Sequence, residues 1–122
     1  MPVKLMATAP VLVAADVGAT AEWYRKVLGF EPDLFPECPP YAFAILNRDG
    51  VEIMLRRCGP SGPTRPDGDW NVYIRTSGVR ELAEQLKDSG AIVDPLVSKD
   101  YGCLELTVAD PNLFVLSGAV SF

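Results

Sequence analysis

No histidine occurs anywhere in the 122 residues. That absence excludes Ser-His-Asp and Cys-His mechanisms, zincin-type metal sites and the two-His-one-carboxylate iron site. Cysteine is scarce: Cys38, Cys58 and Cys103 are odd in number and widely spaced, which argues against a disulfide framework or a zinc knuckle and for small buried hydrophobes. No apolar run approaches the roughly 20 residues that span a bilayer. The opening MPVKLMATAPVLVAAD has only Lys4 as a basic flank and no convincing cleavage site, so a cytoplasmic protein without a membrane partner is expected. Positive charge is also in short supply, with 11 Lys and Arg against 16 Asp and Glu for a net charge of -5. Such a balance repels a phosphate backbone, so no nucleic-acid partner is expected, and a cationic or neutral small ligand suits it better. With 48% apolar and 22% charged residues, the chain reads as a single domain over residues 1–122 rather than a disordered segment.

What is present has a period. Displacing the sequence by 61 residues sets Val11 against Val72, Val13 against Ile74, Gly29 against Gly90, Phe43 against Leu104, Ile45 against Leu106, Asp49 against Asp110, Ile53 against Phe114 and Leu55 against Leu116. Each half reads as strand, helix and three strands. In the first, residues 11–15 form a strand, Asp16 and Thr20 signal a helix start, Ala21, Tyr24, Val27 and Leu28 recur at helical spacing, and Gly29 is a stop. Strands near 30–35, 41–46 and 51–57 follow. In the second, a strand at 72–76 leads to a helix with Val79, Leu82, Ala83 and Leu86 on one face, ended by Gly90, then strands near 92–97, 103–108 and 113–117. The βαβββ modules span residues 10–57 and 70–118. Between them, residues 58–69 are half Gly and Pro and read as a linker. A second break, PECPP at residues 36–40, reads as a rigid open loop. The fold class is α+β: a curved, mostly antiparallel eight-stranded sheet with helices outside. Its open edges, in so short a chain, predict a homodimer.

Asp16, Thr20, Trp23-Tyr24 and Val27-Leu28-Gly29-Phe30, then Asp49-Gly50-Val51-Glu52, then Tyr101-Gly102 with Glu105 and Asp110-Pro111-Asn112, stand in an order that resembles the vicinal oxygen chelate superfamily. That group includes glyoxalase I, extradiol dioxygenases, and fosfomycin- and bleomycin-resistance proteins. The resemblance covers roughly residues 10–117, and the closing turn has two residues fewer than the family usually carries. Metal-dependent members place four His or Glu ligands at positions that fall here near Ala9 or Pro10, at Met54, near Asn71 and at Val115. Alkyl, thioether and amide groups do not replace imidazole and carboxylate. The resemblance therefore implies the fold without the metal, closest to the bleomycin-resistance branch, an antibiotic-resistance type that sequesters a drug.

Strand alternation assigns an open face independently of any family. It carries Asn71, Tyr73 and Arg75 on the strand after the linker, Glu52, Met54 and Arg56 on the fourth strand, and Cys103, Glu105 and Thr107 on the seventh. Phe35 and Trp70 flank it from loops, whereas Trp23 and Tyr24 cover the sheet from the helix. Phe35, Glu52, Met54, Arg56, Trp70, Asn71, Tyr73, Arg75 and Glu105 are the candidate ligand-binding residues. Against this stands a plain reading, in which the charges are a solvated sheet face and the rings pack a core or a dimer interface. The expected function is small-molecule binding of the glyoxalase/bleomycin-resistance-like type, sequestering a hydrophobic or cationic aromatic ligand, with no cofactor and no catalytic residue. The alternative is a metal-free lyase or isomerase using Glu105 or Tyr73 as acid/base, and a third is an interaction module with a vestigial cup.

Overall fold

The computed structural model describes residues 2–59, 71–112 and 115–120, the last six as backbone. The chain divides into unit 1, Met1–Ser61, and unit 2, Gly62–Phe122. Trp70 lies outside the described residues.

Unit 1 runs β1 (Val11–Ala14), α1 (Val17–Leu28), β2 (Glu31–Phe35), β3 (Phe43–Arg48) and β4 (Val51–Arg57). Its sheet order is β1-β4-β3-β2, with β1 parallel to β4 and the other pairs antiparallel. Asp16 caps α1 by accepting from the Ala19 amide at 2.9 Å, satisfying one of the otherwise orphaned first-turn donors. Thr20, read from sequence as a second start signal, instead lies inside the helix and is buried, because Asp16 already supplies the cap. At the other end Gly29 takes the left-handed conformation (φ 72°) and closes the helix through its N–H, while the Arg48 guanidinium donates to the Leu28 carbonyl at 2.6 Å. Tyr24, fully buried, packs edge-on against Trp23 and Phe30 with centroids 5.0 and 5.9 Å apart. Beneath it lie Leu12, Ala14, Ala44, Leu46, Ile53 and Leu55, the face of the sheet that α1 covers. Burying each of the Leu and Ile side chains contributes roughly 1.5–3 kcal/mol. Asp49 and Gly50, both at positive φ (53° and 81°), turn β3 tightly into β4.

Unit 2 runs β5 (Val72–Arg75), α2 (Val79–Leu86), β6 (Ile92–Ser98), β7 (Leu104–Ala109) and β8 (Val115–Val120), ordered β5-β8-β7-β6. Again the first and last strands pair in parallel. Val79, Leu86, Leu106 and Val108 are buried where α2 meets the sheet. α2 stops at Leu86, short of Gly90, because Ser89 turns back and its hydroxyl donates to the Leu86 carbonyl at 2.7 Å. Pro32 and Pro95 sit in β2 and β6, each an outer strand of its sheet, where a missing N–H costs no ladder bond. The β6–β7 register shifts on either side of Asp94.

The 61-residue displacement is out of phase on the sheets. It sets Ile45 against Leu106, yet Leu106 is buried with the helix whereas Ile45 is half-buried on the opposite face. Likewise Val11 is 48% exposed, and it is Leu12 that packs inside. A slip of one residue reverses every side chain of a strand, so the matching displacement is 62: Leu12 with Ile74, Val17 with Val79, Ala44 with Leu106, Leu46 with Val108. The β7–β8 connection, residues 110–114, is longer than the two-residue Asp49-Gly50 turn, which moves β8 by one residue more. The α+β class stands. Among the described residues the strands hydrogen-bond as two four-stranded sheets, so a single eight-stranded sheet is left as a proposal.

Candidate functional site

Backbone pairing in unit 2 defines rows of residues that share a face. One row reads Tyr73, Ser117, Thr107, Asp94, and the next reads Arg75, Ala119, Glu105, Val97. Tyr73 and Glu105, two strands apart, therefore lie on the face away from Leu106 and Val108, and the Tyr73 phenol donates to Glu105 Oε2 at 2.7 Å. A second phenol, that of Tyr101, donates to the same oxygen. Tyr101 stands on the turn before β7, which is closed by the Gly102 amide donating to the Lys99 carbonyl (3.0 Å) and the Lys99 amide donating to Cys103 (2.8 Å). Gly102 has φ +83°, a conformation other residues rarely adopt, and so holds the phenol over β7.

Glu105 is 3% exposed, a carboxylate taken almost wholly out of water, and two hydroxyl donors on Oε2 offset that desolvation. Among the described residues no donor reaches its other oxygen, Oε1. The cluster acts back on the phenols. Burial, and then donation to Glu105, pushes the Tyr73 hydroxyl far above its ordinary range. Donation to Glu105, then desolvation, pushes Tyr101 up to about 12. At neutral pH both phenols are protonated donors, and neither is a ready base or a ready acid.

Beside this cluster lies an open pocket of about 320 Å³ lined by Tyr73, Arg75, Tyr101 and Cys103. Arg75 is exposed, and among the described residues it forms no ion pair. Arg75 and Glu105, weighed from the sequence as a possible pair, share a row without bonding, since the carboxylate is turned to the phenols. Asn71, expected on this face, precedes β5 and is exposed.

The remaining candidates belong to unit 1, on the face away from α1. One row there reads Phe35, Phe43, Arg56, Val13, and the next reads Asp33, Ile45, Met54, Val11. The rings of Phe35 and Phe43 lie 6.1 Å apart, tilted by 43°. Glu52 pairs with Asn47, one row further on. Sequence reasoning placed Cys103 on the open face without counting it among the ligand-binding residues, and it missed Tyr101 as a pocket residue. Residues 101, 103 and 105 share parity, so extending the β7 alternation backward through Cys103 would have found Tyr101.

The positions that carry metal ligands in metal-dependent relatives do not fit a cation here. Met54 offers a thioether beside Val11 and Ile45, and Asn71 an amide outside the strand. By register the counterpart of Met54 is Ser117, paired with Tyr73 as Met54 is with Val11, and not Val115, the position the family resemblance implied. Among the described residues no three His, Cys, Asp or Glu side chains cluster to hold a metal, and no helix is long and apolar enough to cross a membrane.

Solved structures share the fold. TioX from Micromonospora sp. ML1 superposes with a TM-score of 0.79 at 24% identity, over 96% of this chain and 99% of that one. A glyoxalase-related enzyme from Clostridium phytofermentans gives 0.79 at 15% identity, over 98% of each chain. A bleomycin-binding protein, solved in complex with bleomycin, gives 0.76 at 18% identity, over 97% of this chain and 100% of that one. No curated protein matches the sequence. The Glyoxalase/Bleomycin resistance protein/Dioxygenase superfamily model matches residues 7–115, and the chain belongs to that superfamily.

Proposed function

We propose that this protein binds and sequesters a small molecule with an apolar or aromatic body and a neutral or cationic polar group, without using a metal. The observation that carries this reading is the buried Glu105 carboxylate, held by two phenols at the wall of a pocket. A buried carboxylate beside two phenols is a natural seat for a cation, through direct charge-assisted hydrogen bonding. The net charge of -5 favours the encounter. Absence of histidine, and a thioether where relatives place a ligand, supports the metal-free part. That a bleomycin-binding protein of the same fold was solved in complex with bleomycin agrees with sequestration.

The lyase or isomerase alternative requires Glu105 or Tyr73 to exchange a proton with substrate. Phenols held above their ordinary range and a carboxylate saturated on one oxygen by donors work against it. The joining of modules 10–57 and 70–118 into one curved eight-stranded sheet, assembly as a homodimer and a cytoplasmic location belong to the same proposal. Sedimentation equilibrium at twice the chain mass and elemental analysis free of transition metal are the expected results, and a strict monomer or a stoichiometric metal would contradict them.

Calorimetric titration with matched aryl ammonium and aryl carboxylate compounds tests the binding reading. Saturable binding of the ammonium, with its preference lost in Glu105→Gln, is expected. Binding of the carboxylate alone, abolished by Arg75→Ala, would reverse the sign of the ligand.

A further inference from the structure

Glu105 is the strongest acceptor of the cluster, yet it does not line the pocket. The lining is Tyr73, Arg75, Tyr101 and Cys103, with the carboxylate behind the phenols. The two phenols are not equivalent. Tyr73 is part of β5, half-buried and anchored by its strand pairing with β8. Tyr101 is 60% exposed on a turn, with its hydroxyl alone reaching into the buried carboxylate. Both crowd onto Oε2 while Oε1 receives no donor among the described residues.

We propose that Tyr101 is a displaceable placeholder that sets the affinity of the site: its phenol occupies Glu105 until a ligand's ammonium or amidinium group displaces it, while Tyr73 stays and orients the carboxylate. This deepens the ligand-binding reading above and rests on it. The selectivity follows from what is exchanged. A neutral phenol gives up one hydrogen bond to a carboxylate, and an N–H of a cation replaces it with a charge-assisted one plus direct attraction between opposite charges. A neutral donor regains only what the phenol loses, and a ligand without a donor cannot open the cluster at all. Tyr101 thus raises the threshold for every ligand that bonds Glu105, and among these a cation offsets that cost most fully. Once released, its exposed ring is free to lie over the ligand's body. Arg75 sits in the same row as Glu105 with one strand between, two strand spacings or roughly 9–10 Å at the backbone. It is exposed, so solvent weakens its repulsion of a cation at Glu105, and the same repulsion disfavours a second positive charge on the ligand.

The test uses three probes of one shape: phenethylammonium, its neutral methyl ether isostere without a donor, and phenylacetate. Each is titrated by NMR into the full chain and into Tyr101→Phe, Tyr73→Phe and Glu105→Gln. Tyr101→Phe is expected to tighten phenethylammonium by roughly 3- to 10-fold and leave the ether unchanged, the gain corresponding to one hydrogen bond no longer broken. Tyr73→Phe is expected to weaken the same probe. In the wild type, saturation with phenethylammonium should shift the Tyr101 ring-carbon signal beside the hydroxyl while that of Tyr73 moves less. Tyr101→Phe weakening the ammonium, or acting equally on the ether, would overturn the placeholder, as would an unmoved Tyr101 signal at saturation. If Glu105→Gln still removes the ammonium preference in that event, the ligand-binding reading survives alone. If the wild type shows no ammonium preference to remove, both fall.

Discussion

On the open face of unit 1 one row of paired positions reads Phe35, Phe43, Arg56, Val13, and its counterpart in unit 2 reads Val97, Glu105, Ala119, Arg75. Where the third strand of one unit carries a phenylalanine against another ring, that of the other carries a buried carboxylate under two phenols. The helix-facing sides differ far less: Ala44 and Leu46 in β3 answer to Leu106 and Val108 in β7. One strand order can therefore keep its core and exchange the chemistry of its free face, because alternation separates the two sets of side chains. The helix side holds the fold, and the open side is at liberty to carry function.

The largest expected effects lie on the shared side. Leu46→Ala and Leu106→Ala each remove a fully buried side chain, and each should cost about 2–5 kcal/mol in denaturant unfolding. Comparable losses would support equivalent cores, whereas a loss below about 0.5 kcal/mol at either would break the comparison at its base.

How much of this was legible in sequence depended on how local the signal was. Asp16 and Gly29 announce the ends of α1 through cap chemistry, and Asp49-Gly50 announces a two-residue turn. Alternation within β4, β5 and β7 correctly separated Ile53 from Met54, Val72 from Tyr73 and Leu106 from Glu105. The relation between the halves was not local. A displacement fixed by Gly29 and Gly90 and by Asp49 and Asp110 follows the turns, while the strands are spaced one residue further apart, and that single residue exchanges faces. Tyr101 was read only as part of a family pattern, because its contact with Glu105 crosses a turn whose shape depends on Gly102.

An intermediate effect sharpens the contrast on the open face. Tyr73 and Tyr101 are raised above the ordinary tyrosine value near 10, so the folded state holds their protons more tightly than the unfolded one. Their stabilising contribution is thus complete below about pH 10 and is lost as pH rises toward and beyond 12. Denaturant midpoints across this range should fall more steeply for the wild type than for the Tyr73→Phe, Tyr101→Phe double variant. Parallel slopes would remove the cluster from the energetics.

A smaller difference separates the helices. α1 is capped by the Asp16 side chain, whereas Gly78 precedes α2 with no side-chain cap bond. Asp16→Ala should cost about 0.5–2 kcal/mol. Gly78→Ala should also destabilise, through its φ of 73° rather than through a lost bond, and a neutral result there would show that the turn relaxes.

In the proposed binding mode the ligand's polar group is recognised by the carboxylate cluster of unit 2. Amide and side-chain NMR mapping of the wild-type chain, titrated with a planar cationic aromatic compound, tests it most directly. The largest shifts are expected at Tyr73, Arg75, Tyr101, Cys103 and Glu105, with their loss in Glu105→Gln. Shifts confined to Phe35, Phe43 and Met54 and unaffected by that substitution would contradict it.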